Sequence, residues 1–261
     1  MIDLHTHILP GIDDGSPDIE TSVAMARLSA EEGISVMVAT PHVNGRYAPT
    51  PAAIRQGVAD LNEVLAAEHI PVVVSPGAEI AISEVSNLED EALAALSLGG
   101  STTLLIESPY LRGVPFFDSM LFEIQSRGFK ILLAHPERSP MFQQDPEALH
   151  DLVERGVLCS ITAGSMRGRF GRRVARCALD FISLGLVHNV SSDAHGLRKR
   201  PPGLVSGFEG ARELMPALET ALPWFTTDVP GAILSNAEVP PAPIKTGNLE
   251  ERRGIRRLLG L

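Results

Sequence analysis

His5 and His7 stand two residues apart near the start of the chain, and Asp13, Asp14 and Gly15 follow in the same short stretch, MIDLHTHILPGIDDG. Imidazole nitrogens and carboxylate oxygens together form a donor set for divalent transition metals. A spacing of two aims both imidazoles to one side of an extended segment. The same residue types return along the chain, each time after a short apolar, β-branched run. His42 ends VMVATPH, Glu79 ends VVVSPGAE, Glu107 ends LLIE, His135 and Arg138 close ILLAHPER, and Asp193 and His195 close VSSDAH. A lone histidine after a strand is most often a structural hydrogen-bonding residue. Five of eight histidines in that position form a pattern instead. The other three are assigned no part: His69 ends a helix-like segment, His150 lies within one, and His188 begins a strand-like run.

His5, His7, Asp14, His42, Glu79, Glu107, His135, Asp193 and His195 make nine ligand-type residues, more than one ion uses. Spacing alone does not separate Asp14 from Asp13. A mixed nitrogen and oxygen set without thiolate suits zinc, manganese or iron rather than calcium. Two or three ions bridged by carboxylates is the economical reading. Such clusters generate hydroxide near neutral pH and stabilise the attacking and leaving oxygens of phosphoryl transfer.

Seven apolar runs must position these residues: MIDL, SVMVAT, PVVVSP, TTLLIE, KILLA, VLCSIT and VHNVSS. They alternate with helix-like segments such as PDIETSVAMARLSAEEG, PAAIRQGVADLNEVLAAEH and RRVARCALDFISLG. Continuous apolar runs alternating with helices predict a parallel sheet covered by helices, as a barrel or an open doubly wound sheet. In either, the C-terminal strand ends share one rim, where active sites are built. The first helix is expected to open after Ser16, with Pro17 at its first position, and to close at Gly33. The stretch LGGSTT reads as a turn, and neither a dinucleotide-binding glycine fingerprint nor a phosphate-binding P-loop is present.

Composition narrows the function. The 261 residues are 44% apolar and 21% charged, ordinary for a globular chain. The formal charge of −10 argues against a general nucleic-acid binder. No stretch has the length of a membrane span, and no charged segment leads into an apolar one as in a secretory signal, so a cytoplasmic protein without membrane insertion is expected. Cys159 and Cys177 offer no disulfide framework. The positions where a cysteine-based phosphatase loop would carry its arginine hold Ser165 and Ser183. Residues 1–237 are expected to form one catalytic domain and 238–261 a tail, Pro-rich and then basic, with Arg252, Arg253, Arg256 and Arg257 near its end.

The ordered motifs H-x-H, TPH, GAE, ILLAHPER and SSDAH resemble the polymerase and histidinol phosphatase (PHP) superfamily. That resemblance implies a distorted seven-stranded β/α barrel, parallel strands inside and helices outside, with a trinuclear metal centre. DLHTHILPGIDDG, HPER, TAGSMRGRFGRR and SDAHGLRKRPP resemble, more closely, the bacterial manganese-dependent protein-tyrosine phosphatases. Those act beside capsular and exopolysaccharide synthesis, reversing autophosphorylation of a partner tyrosine kinase. The likeness runs from Met1 to about Asn236. It implies one ion on His5, His7, Glu79 and Asp193, a second on Glu79, Glu107 and His135, and a third on Asp14, His42 and His195. It implies manganese, with iron and zinc as alternatives, and it places Arg138 and Arg200 on the phosphate, a task suited to arginine's fixed fork of donors. The loop VNGRYAPTP is expected to shape selectivity through Arg46 and Tyr47. Arg167, Arg169, Arg172, Arg173 and Arg176 read as a solvated loop and helix face, with guidance of an acidic phosphotyrosine tail or an intersubunit surface as alternatives. The expected activity is hydrolysis of phosphotyrosine on a partner protein, a kinase tail above all, by a metal-bound hydroxide. The rivals are a small-molecule phosphatase such as one for histidinol phosphate, a nuclease on the same scaffold, and a non-catalytic binder of a kinase tail. The full ligand set argues against the last.

Overall fold

The structure, a computed structural model, describes residues 1–212 and 215–243. Nine short strands alternate with helices: β1 (Ile2–Thr6), β2 (Val36–Ala39), β3 (His42–Val43), β4 (Val73–Pro76), β5 (Glu79–Ile80), β6 (Thr103–Glu107), β7 (Lys130–Ala134), β8 (Leu158–Thr162) and β9 (Asn189–Ser191). Every pairing is parallel. Strands such as TLLIE and KILLA are buried along nearly their whole length, which is why they read as continuous apolar runs rather than alternating ones.

The single closed seven-stranded sheet expected from the resemblance is not what the hydrogen bonding gives. The strands form a three-stranded sheet, β1-β2-β4, and a six-stranded sheet, β3-β5-β6-β7-β8-β9. Beyond two of the seven apolar runs, SVMVAT and PVVVSP, the chain breaks and then pairs again in the other sheet. Thr40 and Pro41 separate β2 from β3, and Gly77 and Ala78 separate β4 from β5. Proline has no N–H for a ladder. At Gly77 the chain passes so near Val38 that a Cβ would meet its Cγ1 at 2.9 Å. Between β1 and β9 there is only the bridge Thr6–Ala194, flanked by Asp193 N–H to the His5 carbonyl and His7 N–H to the Ala194 carbonyl, both 2.9 Å.

Helices cover the sheets. Helix α1 (Ile19–Glu31) starts two residues later than the sequence predicts. Asp18, not Ser16, is its cap, accepting from Thr21 N–H at 2.8 Å, so Pro17 lies outside the helix. Gly33 takes φ +84 just past the end, as the sequence predicts. Helix α2 (Pro51–Ala67) opens with Thr50 as cap and buries Ile54, Val58, Leu61 and Leu65, one stripe at helical spacing. Each such side chain contributes roughly 1.5–3 kcal/mol by leaving water. The turn at LGG forms, with Gly99 and Gly100 both at positive φ.

The described start of the tail is held to the body. Trp224 Nε1 donates to the Pro240 carbonyl at 3.0 Å, and Val239 packs against the core. Arg252, Arg253, Arg256 and Arg257 lie outside the described residues. Among the described residues no helix is long and apolar enough to cross a membrane.

Candidate metal centre

The nine ligand-type residues stand at or just past the C-terminal ends of strands, on one rim, except Asp14, which reaches it from the loop after β1. That loop is folded back tightly. Gly15 packs on His7, where a Cβ would come within 2.2 Å of the His7 carbonyl oxygen, and Gly11 turns the chain at φ +66. His135 and Asp193 themselves take positive φ, 38° and 50°. A non-glycine residue in that region costs free energy and is typical of side chains aimed into functional sites.

His5, His7 and Asp193 gather donor atoms at a sealed inner position, with Glu79 beside the two histidines. His5 Nε2 lies 3.2 Å from His7 Nε2, 3.3 Å from Glu79 Oε2 and 3.5 Å from Asp193 Oδ1. His7 Nε2 is 3.4 Å from the same Glu79 oxygen and 3.6 Å from the same Asp193 oxygen. Donors about 2.1 Å from a tetrahedral ion stand about 3.4 Å apart, so this spacing is that of a coordination shell. All four residues are buried.

An outer group joins Asp14, His42 and His195, with His7 at its edge. Asp14 Oδ1 is 3.4 Å from His42 Nε2 and 3.7 Å from His195 Nε2. Glu79 spans the middle, its Oε1 2.7 Å from His135 Nε2 and its Oε2 3.0 Å from His42 Nδ1. The grouping departs from the expected second set in one respect. Glu107 gathers with His42 and Glu79, whereas His135 gathers with His5 and Glu79.

The donor set fits divalent cations on two further grounds. His135 Nδ1 and His195 Nε2 are buried with no hydrogen-bond partner among the described residues, a costly state for polar atoms that serve nothing. Burial and the neighbouring Glu79 carboxylate push Glu107 up to about 7. Burial opposes the charge of Glu79, yet His5, His135 and His42 hold its carboxyl well below the ordinary range. Burial and Arg138 bring His135 down to about 4, and burial and His7 bring His195 down to about 2. Burial opposes the charge of His7 and His42, yet Asp13 and Glu79 raise His7 to about 10 and Glu79 raises His42. Protons on His7, His42 and Glu107 thus hold the positive charge that a cation would supply among these crowded carboxylates.

Asp13 is a supporting residue. Its Oδ2 lies 2.6 Å from His7 Nδ1 and accepts from His42 N–H at 3.0 Å, while Oδ1 accepts from Gly15 N–H at 2.9 Å. Engaging Nδ1 turns the Nε2 of His7 towards the centre. This divides the Asp13–Asp14 pair: one orients a histidine, the other faces the imidazoles.

Arg138 and Arg200 converge on Asp193 Oδ2, Arg200 Nη1 at 2.9 Å. Arg138 is further held by the Tyr110 hydroxyl at 2.5 Å and by the Phe170 face, 4.5 Å from its guanidinium carbon. Tyr110 stacks beside His135 with centroids 5.8 Å apart. Tyr47 stacks on His42 at 6.1 Å, and Arg46 lies exposed over the Tyr47 ring at 4.9 Å. The chain's two tyrosines thus flank the rim. His69, His150 and His188 are elsewhere. His150 lies by Asp151 and Glu154, and His188 Nδ1 accepts from Cys159 N–H.

Sequence reasoning missed Tyr110, Phe170 and Glu137. Glu137 is buried and accepts from Thr162 N–H at 3.0 Å and Ser165 Oγ at 2.6 Å, tying the HPER turn to the end of β8. A carboxylate between His135 and Arg138 was the available signal.

The family model for capsular polysaccharide synthesis, CpsB/CapC, matches residues 1–214. The chain belongs to the CpsB/CapC family. It is 35% identical over 257 residues to tyrosine-protein phosphatase YwqE of Bacillus subtilis (strain 168), covering 95% of this chain and 98% of that one. It is 27% identical over 217 residues to tyrosine-protein phosphatase CpsB of Streptococcus pneumoniae, covering 80% and 88%. Among solved structures it superposes, with TM-score 0.82 and 34% identity over 94% of this chain and all of the other, on one from a study of those two proteins, there described as unique metal-dependent tyrosine phosphatases. The CpsB/CapC match spans all nine ligand-type residues and both arginines. Neither cysteine of this CpsB/CapC chain belongs to the rim site: burial pushes the thiol of Cys159, within β8, far up, and that of Cys177 to about 12.

Proposed function

We propose that the chain is a metal-dependent phosphatase that hydrolyses phosphotyrosine on a partner protein. The observation that carries this reading is the rim itself, where donors at coordination spacing stand beside two arginines that share one carboxylate oxygen. When bound, divalent ions supply a nucleophile at neutral pH and charge stabilisation at the phosphate. The residues that would hold them are His5, His7, Asp14, His42, Glu79, Glu107, His135, Asp193 and His195, with Glu79 at the centre of the set. Nine ligands accommodate three ions, and their nitrogen and oxygen chemistry suits manganese, with iron or zinc next.

The chain's own side chains do the remaining work. Arg138 and Arg200 take the phosphate oxygens not facing the ions, and their shared anchor on Asp193 fixes both forks before substrate arrives. Asp13 and Glu137 keep His7 and the HPER turn in place. Tyr47 and Tyr110 line the approach of the aromatic ring, with Arg46 behind Tyr47. A thiol nucleophile plays no part, because thiols raised this far hold almost no thiolate near neutral pH. Residues 1–237 act as one catalytic unit, in which β2 with β3 and β4 with β5 are bent strands of a distorted seven-stranded barrel. The partner is the tail of a bacterial tyrosine kinase of capsule or exopolysaccharide synthesis, and the compartment is the cytoplasm. The test is a competition among phosphotyrosine peptide, phosphoserine peptide and histidinol phosphate for the manganese-loaded protein. Selective turnover of the first is expected. Preference for histidinol phosphate would overturn the reading.

A further inference from the structure

Beside the rim lies a second concavity of about 370 Å³. Arg167, Arg169 and Arg200 line it, together with Phe170, Glu31 and Glu32. It adjoins the metal-side site through two shared residues. Arg200 also reaches Asp193, and Phe170 also stacks on Arg138. The Arg169 side chain lies across Gly164, with its Cδ 3.1 Å from where a Cβ would stand, and donates to the Lys199 carbonyl next to Arg200. Arg167 lies over Gly210 in the same way, its Cγ 3.0 Å from a Cβ position. Glycines thus let two guanidinium stems lie flat against short helices beside the cavity.

The two carboxylates of the lining, Glu31 and Glu32, form no ion pair with these arginines among the described residues. Glu32 is engaged by Leu204 N–H at 2.7 Å and Val205 N–H at 3.0 Å, and Glu31 is exposed. Among the described residues neither Arg167 nor Arg169 pairs with a carboxylate. Two guanidiniums without a carboxylate partner among the described residues, one of them tied to the Lys199 carbonyl, and a third that reaches Asp193 border the hollow. Arg167 and Arg169 are exposed, so in a chain of net charge −10 they present a local positive patch to solvent beside the rim.

We propose that this cavity is a subsite for an anionic side chain flanking the phosphotyrosine of the protein substrate, a carboxylate or a second phosphate. The proposal rests on the phosphatase reading for its substrate, but its test is a binding measurement. Fluorescence anisotropy of labelled peptides carrying a non-hydrolysable phosphotyrosine analogue, on the manganese-loaded full chain, compares three flanks: neutral, glutamate-rich, and bearing a second such analogue. Either anionic flank is expected to tighten binding about five- to ten-fold over the neutral one, as expected for a few partly exposed charge pairs. Arg167→Glu, and more mildly Arg167→Gln, should bring that ratio towards one. The better-bound anionic peptide identifies the occupant. Equal affinity for all three peptides in the wild type would overturn the subsite, as would a ratio untouched by Arg167→Glu in a variant that melts like the wild type. Turnover of p-nitrophenyl phosphate by the manganese-loaded wild type is followed separately. Its absence would count against the phosphatase reading while leaving the peptide ratios to decide the subsite.

Discussion

His5, His7, Glu79 and Asp193 are sealed beneath the rim, whereas Asp14, across the same centre, is 47% exposed and its partner His42 15%. The inner donors are held by backbone pairing: His5 lies in β1, Glu79 begins β5, and the His7 and Asp193 amides bond across the β1–β9 seam. Asp14 depends on a loop whose shape rests on Gly15 and Asp13. Preorganised donors lose little freedom on binding an ion, and loop-borne donors lose more. The inner position should therefore fill first and hold most firmly.

The sharpest way to break this contrast is Glu79→Gln, which removes the carboxylate set between His42 and His135. Phosphotyrosine turnover should fall by about a thousand-fold or more, the several kcal/mol expected of lost charge stabilisation. Steady-state kinetics at saturating manganese would detect it. Asp14→Ala should cost less, about a hundred-fold at limiting metal, and much of the loss should return as manganese is raised, because only the outer position is weakened. If excess metal rescues Glu79→Gln and not Asp14→Ala, the contrast is reversed. Asp13→Asn tests the support beneath both sides. Metal affinity by calorimetry should drop about 10- to 100-fold, the usual effect of losing a carboxylate behind a ligating histidine. The smallest effect is expected away from the rim. Cys159 is buried, and burial pushes the Cys177 thiol up to about 12, so little thiolate is present at pH 8. Iodoacetamide at that pH should leave turnover unchanged.

Much of this rim was legible in the sequence. Strand ends are marked by where apolar runs stop, and parallel topology brings those ends together, so His42 and Asp193 could be associated without coordinates. The resemblance added Asp14 over Asp13, and the geometry gives the physical reason. What stayed hidden depended on contacts without period. Glu137 reaches Thr162 and Ser165, and Tyr110 reaches Arg138, through turns whose partners no spacing predicts. The second pairing of the chain as β3, after the break at Pro41, was visible only as a proline beyond the run SVMVAT. The start of α1 was misplaced because Ser16, Pro17 and Asp18 all carry helix-start chemistry, and the cap is decided by Asp18 reaching Thr21.

The central claim is that ions held by this rim, and no side-chain nucleophile, carry the reaction. Its most direct test is phosphate release from a phosphotyrosine peptide by protein stripped with a chelator and then titrated with manganese. Activity should vanish on stripping and return with the metal, with the two metal-binding sides filling in turn. Turnover that persists after all metal is removed would contradict it.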